Sequence, residues 1–365
     1  MHIALLLPLG HRFAADTASS ISTCAHDFAR ANAARAHMTV IGSACDRPFE
    51  DVAFVPLPEP AKNLLGSRRA DYARTAANAI DALNPDAVMV ELDGWLAASI
   101  ARFHKRAPVA LRLHSDAEKA IHGVKGWRRR ARLKRMAGLV CVSPTMATTI
   151  GDQLYGRPPV IAAPNGVDLE LWRGDPDWQK AKVIVFAGRL VPEKGIVELC
   201  DATRDFLGSN AGRDWQAVFL VSDVEKNLDL DADCRRSLAP VADRVQWLTN
   251  RHRSDVRAAM QQASIVVVPS KVIEGFGMVA AEAHAAGCAV ISSGLGGLRD
   301  ASGDAARYLE TVSAEAILAA LTEVAVQPAL SAWRKNSRDH AASALSLDAT
   351  AQTIHDFLSD LALRH

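Results

Sequence analysis

Two carboxylates, Glu274 and Glu282, bracket the segment Glu274-Gly275-Phe276-Gly277-Met278-Val279-Ala280-Ala281-Glu282. The β-branched run Ser264–Val268, closed by Pro269 and Ser270, precedes it, and Ala281–Gly287 reads as a short helix ending at a glycine. The order is strand, glycine-rich loop, helix. That order leaves backbone N–H groups at a positive helix end, where a phosphate can sit. Glu274 falls on the loop, with reach past the phosphates. Glu282 falls on the helix, beside whatever the phosphates carry. The pattern suits a nucleotide-sugar, which has hydroxyls on both sides of a diphosphate. Upstream, Gly188 and Gly195 frame two cations, Arg189 and Lys194. Fixed cations and a helix N-terminus stabilise charge growing on a departing diphosphate without a metal. Asp-x-Asp spacing occurs at Asp175/Asp177 and in Asp229-Leu230-Asp231-Ala232-Asp233. Neither follows a strand directly, so no essential metal and no cofactor is expected.

Short apolar runs and longer Ala-rich stretches alternate around these residues. Ile3–Leu7, Met38–Gly42, Ala87–Val90, Val109–Leu113 and Leu139–Val142 read as buried strands, with helices over Ser19–Ala36, Tyr72–Leu83 and Leu96–Lys105. A second series runs through Val183–Ala187, Ala217–Val221, Val245–Leu248, Ile265–Val268 and Ala289–Ser292, with helices over Ile196–Leu207 and Asp255–Gln262. The alternation predicts an α/β fold of two doubly wound, Rossmann-like domains, each a parallel sheet with helices on both faces. Turn residues between Pro164 and Lys182 mark the break. Such sheets bind ligands at the carboxyl ends of their strands. Two of them facing an interdomain cleft would make a small-molecule site.

At 365 residues the chain is long enough for two cores, and its 49% hydrophobic and 23% charged content is that of a globular protein. A formal net charge of +1 gives no overall field for nucleic acid. The six cysteines are scattered, without a C-x-x-C pair or a His/Cys cluster, which fits reduced cytoplasmic thiols. Met1–Pro8 lacks a basic leader and reads as a first strand rather than a signal peptide. No stretch approaches the ~20 apolar residues that cross a bilayer.

Five segments occur in a fixed order: Val142-Ser143-Pro144 at a strand end, Pro164-Asn165-Gly166-Val167-Asp168, Phe186 to Gly195, Glu274 to Glu282, and Gly296-Gly297-Leu298-Arg299-Asp300. As an ordered set the chain resembles the family-4 retaining glycosyltransferases, which have the two-domain GT-B fold. The resemblance is specific over residues 140–310 and weaker before. It implies transfer of a sugar from a nucleotide-sugar donor to an acceptor hydroxyl, with retention at the anomeric carbon. Residues 1–168 would form the acceptor-binding domain and 169–345 the donor-binding domain, with 346–365 a helix crossing back to the first.

Residue by residue, Arg189 and Lys194 match the family's cationic pair on the diphosphate. Glu274 matches the carboxylate on the donor-sugar hydroxyls, and Glu282 the one on the ribose. Gly275, Phe276, Gly277 and Met278 match the loop around the phosphates. His114, after Leu111-Arg112-Leu113, stands where the family often has a histidine near the reacting carbon. No carboxylate nucleophile is evident on the far face. The family's same-face mechanism, in which the departing phosphate helps take the acceptor's proton, is therefore favoured. Two departures stand out. Gly10 is single in Pro8-Leu9-Gly10-His11-Arg12, where the family has a glycine pair near the donor phosphate, although Ser19 or Ser20 could cap the next helix and offer N–H groups. Val221-Ser222-Asp223-Val224 replaces a Gly-Asp-Gly turn. His11, Arg12 and Asp16 are candidates for acceptor or donor contact. His284 is expected to pack on its helix, and Trp95 to fill core.

Lys125-Gly126-Trp127-Arg128-Arg129-Arg130-Ala131-Arg132-Leu133-Lys134-Arg135 is the sharpest charge feature. A solvated helix face is the plain reading. The alternative is an anionic membrane surface, with Trp127 and Leu133 dipping in and Arg128, Arg129 and Arg130 on headgroups. In that case the acceptor is lipid-linked rather than a soluble carbohydrate, and the chain is peripheral on the inner face of the cytoplasmic membrane. Bacterial surface glycan or glycolipid synthesis is the setting the resemblance implies. Rival readings are a GT-B epimerase or phosphorylase, and a catalytically silent nucleotide-sugar-binding partner of another transferase.

Overall fold

The computed structural model describes residues 1–14, 19–60, 67–114, 126–174 and 180–365. The chain divides into two compact units, Met1–Gly166 with Leu347–His365, and Val167–Ser346.

The first unit is built on seven parallel strands: β1 (His2–Leu6), β2 (His37–Ser43), β3 (Ala53–Leu57), β4 (Ala87–Glu91), β5 (Val109–Leu113), β6 (Gly138–Cys141) and β7 (Val160–Ala162). Their order is β3-β2-β1-β4-β5-β6-β7. Central β1 pairs on both sides, Ile3 facing Met38 of β2 and Ala87 of β4. Every residue of β4, β5 and β6 is buried, as expected of strands covered on both faces. The helix Leu347–Leu363 closes this unit, sinking Ile354, Leu358 and Leu361 into the core that Ile3, Leu5 and Phe28 share. Thr350 Oγ1 donates to the Pro164 carbonyl at 2.8 Å, and Arg35 pairs with Asp348 at 2.6 Å.

The second unit has six parallel strands: β8 (Ala181–Arg189), β9 (Gln216–Ser222), β10 (Val245–Thr249), β11 (Ala263–Val268), β12 (Ala289–Ser292) and β13 (Ala306–Tyr308), ordered β10-β9-β8-β11-β12-β13. Its core gathers Phe186, Ile196, Leu199, Phe206, Phe219 and Ile265. In each sheet the strand order reverses beside the first strand, at β1/β4 and at β8/β11. Those reversals are the switch points at which doubly wound sheets open to ligands.

The structure differs from expectation in a few elements. Strands β3, β7 and β13 add sheet edges that no apolar run announced. The first helix is Ser20–Ala31 and stops short of Ala36. Asn32 ends it, its backbone N–H and its side-chain amide both donating to the Phe28 carbonyl at 3.1 and 3.0 Å. Among the described residues no single helix is long and apolar enough to cross a membrane.

Candidate functional site

In the second unit, the loops after β8 and β11 carry the motif residues. β8 runs out to Arg189, its exposed last residue; a single turn over Pro192–Lys194 follows, and then the helix Ile196–Gly208. Gly195, at φ +69°, links turn and helix in a left-handed conformation, and a Cβ there would run into the Pro269 carbonyl at the end of β11. This close approach brings Lys194 onto the β11 loop, where its Nζ pairs with Glu274 Oε1. Ser270 Oγ donates to the same oxygen at 2.8 Å. The Lys271 backbone N–H donates to the Glu193 carbonyl at 2.8 Å, and its Nζ to Glu198 at 2.7 Å, so Lys271 and Glu274 both tie the loop after β11 to the segment after β8. Among the described residues Arg189 has no ion-pair partner.

Past Glu274, Gly275 and Phe276 lead to Gly277, at φ +101°, which starts the helix Met278–Ala285 with no side-chain cap. A Cβ on Gly277 would meet Leu298 Cδ2 at 2.5 Å, so this helix start is packed tightly against the segment Gly297–Ser302. The first-turn N–H groups of a helix have no intrahelical acceptor, which leaves this turn able to receive an anion. Glu282 lies one turn on, largely buried, and takes both Arg253 Nε (3.0 Å) and Nη2 (2.9 Å) on one oxygen. Arg253 in turn lies over the Trp172 ring at 5.4 Å. The structure thus brings Lys194 and Glu274 together and gives Glu282 a partner that motif spacing did not indicate. His284 is buried beside Ser337, with a 2.9 Å hydrogen bond, and burial pushes its pKa down to about 3.

In the first unit, His114 directly follows β5, and its Nε2 bonds to Glu91 Oε2 at 2.5 Å. Glu91 ends β4 and is wholly buried. Arg112, also buried, faces the other Glu91 oxygen at 3.9 Å and donates to Asn165 Oδ1 at 2.7 Å. Burial lowers the His114 pKa, with Glu91 opposing, so the imidazole is held neutral by its surroundings and tied down by its carboxylate. Gly10 adopts φ +86° and its N–H donates to Ser43 Oγ at 3.3 Å. His11 Nδ1 bonds to Ser19 Oγ at 2.8 Å, the same hydroxyl that caps the helix Ser20–Ala31. Burial lowers the His11 pKa, and the nearness of His114 acts in the same direction, which puts the two histidines in one electrostatic neighbourhood. Arg12 is exposed beside Ser43; Asp16 lies outside the described residues.

Two expectations need correcting. Trp95 does not fill core: it is half-buried under Arg69, 4.7 Å from the guanidinium, and lines a surface pocket. Nor do the arginines of the basic run all point outward. In the helix Gly126–Leu133, Trp127 and Arg128 are exposed, Arg129 and Arg130 are half-buried, and Arg129 lines the same pocket as Trp95.

With this geometry in view, the comparisons with known proteins agree on one lineage. Residues 170–340 match the family described as "Glycosyl transferases group 1", and residues 21–171 match "Glycosyltransferase Family 4". The chain belongs to the family-4 glycosyltransferases. This family-4 chain is 33% identical over 187 residues to the D-inositol 3-phosphate glycosyltransferase 1 of Catenulispora acidiphila, a match spanning 44% of each chain. It is 33% identical over 131 residues to the GDP-mannose:cellobiosyl-diphosphopolyprenol alpha-mannosyltransferase of Xanthomonas campestris, covering 35% of this chain and 33% of the other. The matched segment is thus less than half the length of either relative. Among solved structures, Anabaena HepE in complex with UDP and glucose superposes with a TM-score of 0.76 at 19% identity, over 98% of this chain and 99% of that one. At that identity the likeness establishes the shared GT-B fold.

Proposed function

We propose that this family-4 chain transfers a sugar from a nucleotide-sugar to an acceptor hydroxyl, with retention at the anomeric carbon and without a metal ion. The observation that carries the reading is the group at the β8/β11 switch point: Lys194 seated on Glu274, Arg189 at the strand end, and an uncapped helix start at Gly277. These features suit a diphosphate flanked by hydroxyls. Lys194, Arg189 and the helix start stabilise the charge that grows on the departing diphosphate. Glu274 takes sugar hydroxyls and Glu282 the ribose. The bound UDP and glucose of HepE lend support to a donor of this kind. The same-face route needs only positioning and charge neutralisation from the protein, which suits a group of fixed cations. His114, neutral and held by Glu91, is suited to a hydrogen bond with donor or acceptor in the first unit. We place the enzyme in the cytoplasm, in surface glycan or glycolipid assembly. The name of the Xanthomonas relative, which specifies a lipid-linked acceptor, favours that setting.

The test is a thermal-shift screen against UDP-, GDP-, ADP- and dTDP-sugars, with Glu282→Ala alongside. One nucleotide class should stabilise the wild type by about 2.7 kcal/mol at 100 times its dissociation constant, and not the variant. Turnover should survive a chelator, and the product should keep the donor's anomeric configuration by NMR. Binding of no nucleotide would sink the reading, and an inverted product would sink the retaining route.

A further inference from the structure

Arg253 stands where a cation is out of place. It is the first residue of the helix Arg253–Gln262, at the positive end of the helix dipole, where acidic side chains are favoured. Its backbone is pinned there all the same. His252 caps the helix, its Nδ1 accepting from the Ser254 N–H at 3.3 Å, and Asp255 Oδ2 accepts the His252 N–H at 3.3 Å. The side chain is held as well. Its guanidinium lies 5.4 Å from the ring of Trp172, which is buried at the end of the helix Leu169–Trp172. At the far end of the same helix Gln261 donates to the carbonyls of Leu171, Trp172 and Arg173 at 3.2, 3.3 and 3.3 Å. Both ends of Arg253–Gln262 thus fasten on the turn that carries Trp172. From this mount the guanidinium reaches one oxygen of Glu282, through Nε at 3.0 Å and Nη2 at 2.9 Å.

Glu282 is the one acid in Met278–Ala285, set among the buried Ala280, Ala281, Ala283 and Ala285, none of which has a side-chain polar atom to steer it. It lies four residues after Met278, about 6 Å along the axis, and helical side chains lean toward the N-terminus. The carboxylate therefore leans back toward the helix start that suits a diphosphate. We propose that Arg253, braced by Trp172, is a positioning residue that sets Glu282 for the ribose and thereby restricts the donor to ribonucleoside diphosphate sugars. The proposal rests on the reading that Glu282 takes the ribose. An acid beside a Rossmann-type phosphate site is well placed for the ribose 2′-hydroxyl. A carboxylate accepts hydrogen bonds and donates none, so it tells a hydroxyl from a hydrogen at that carbon. The discrimination is large when the acceptor is ordered beforehand, because a ligand that must order a glutamate loses affinity in doing so. Two N–H groups on one oxygen limit the rotation of the Glu282 carboxylate, and the guanidinium charge offsets the cost of burying it. Arg253 acts through Glu282 and need not touch the nucleotide. A deoxyribonucleotide leaves the fixed carboxylate facing a hydrogen, and the lost bond is not replaced.

The experiment is calorimetric titration of the full chain with UDP, GDP and ADP, each beside its 2′-deoxy counterpart. Wild type should bind one of the ribonucleotides about tenfold or more tighter than its deoxy form. In Arg253→Gln that ratio should fall toward about one, because affinity for the ribonucleotide drops while that for the deoxynucleotide stays. Arg253→Lys, which keeps the charge but not the fork, should recover part of the ratio. A side chain needed only for folding would move both nucleotides together, and would lower the melting temperature. A ratio in Arg253→Gln equal to that of wild type, or a wild-type ratio near one, overturns the positioning role. Should Arg253→Gln fail to fold, Arg253→Lys carries the test: a ratio below wild type supports the role, and an unchanged one overturns it. Failure of wild type to bind any diphosphate overturns the proposed function as well, and is seen before any variant is made.

Discussion

Both units carry charged groups at the switch point of a parallel sheet, and they handle those charges in opposite ways. In the second unit three cations each rest on a carboxylate, Lys194 on Glu274, Arg253 on Glu282 and Lys271 on Glu198, and Arg189 stands exposed at its strand end. The Lys194 and Glu274 side chains keep 23% and 20% of their surface. In the first unit the carboxylate is sealed in. Glu91 is wholly buried between His114 and Arg112. Water-exposed pairs add little to stability and remain free to exchange partners. A buried pair is costly to break, because the survivor is left charged in a poor solvent. The second unit's charges are thus suited to binding and release, and the Glu91 cluster to holding a shape.

The sharpest way to break this comparison is Glu91→Ala. It should cost about 3–5 kcal/mol of stability, read as a fall in the urea midpoint, because Arg112 is left buried without its carboxylate. A loss below about 1 kcal/mol would put Glu91 with the exposed pairs. Lys194→Ala should do the reverse: turnover of donor falls ~10² to 10³-fold while the urea midpoint moves little. A stability loss as large as that of Glu91→Ala would erase the distinction. The smallest effect concerns two histidines, one in each unit. Burial holds both His114 and His284 below their ordinary pKa, but His114 has Glu91 opposing the shift and His284 has no such carboxylate. The folded state then binds fewer protons than the unfolded one. Stability from His284 is fully present above pH 6.5 and is lost as pH falls from 6.5 toward about 3. The slope is at most about 1.4 kcal/mol per pH unit. His284→Asn should flatten that part of the stability profile more than His114→Asn does.

The sequence made the central strands legible because burial on both faces writes them as unbroken apolar runs, as in Ala87–Val90 and Ile265–Val268. The edges escaped for the same reason. β3 (Ala53–Leu57) is mostly half-exposed and holds Pro56, and β7 and β13 span three residues each, too short for any period to show. The second unit's site was legible because its residues lie in two contiguous loops with glycines where the backbones touch. Arg253 was missed: it stands on a different helix, 29 residues before Glu282, and only the fold joins them. Glu91 and Arg112 did leave a signal, a charge inside or closing an otherwise apolar strand, which demands a buried partner. The basic run was visible, but the direction of its arginines was not. Their facing depends on which side of the helix Gly126–Leu133 finds a neighbour in Gly94–Phe103, and composition cannot state that.

The helix Leu347–Leu363 gives the first unit its last wall, yet it is encoded after the whole of the second unit. On the ribosome, strands β1 to β7 emerge long before the side chains that cover them. Residues 167–346, which form a compact unit of their own, must be made in the interval. The first unit therefore spends that time with the apolar surface facing Ile354 and Leu358 uncovered. A break in translation between Gly166 and Leu347 leaves the same unclosed flank.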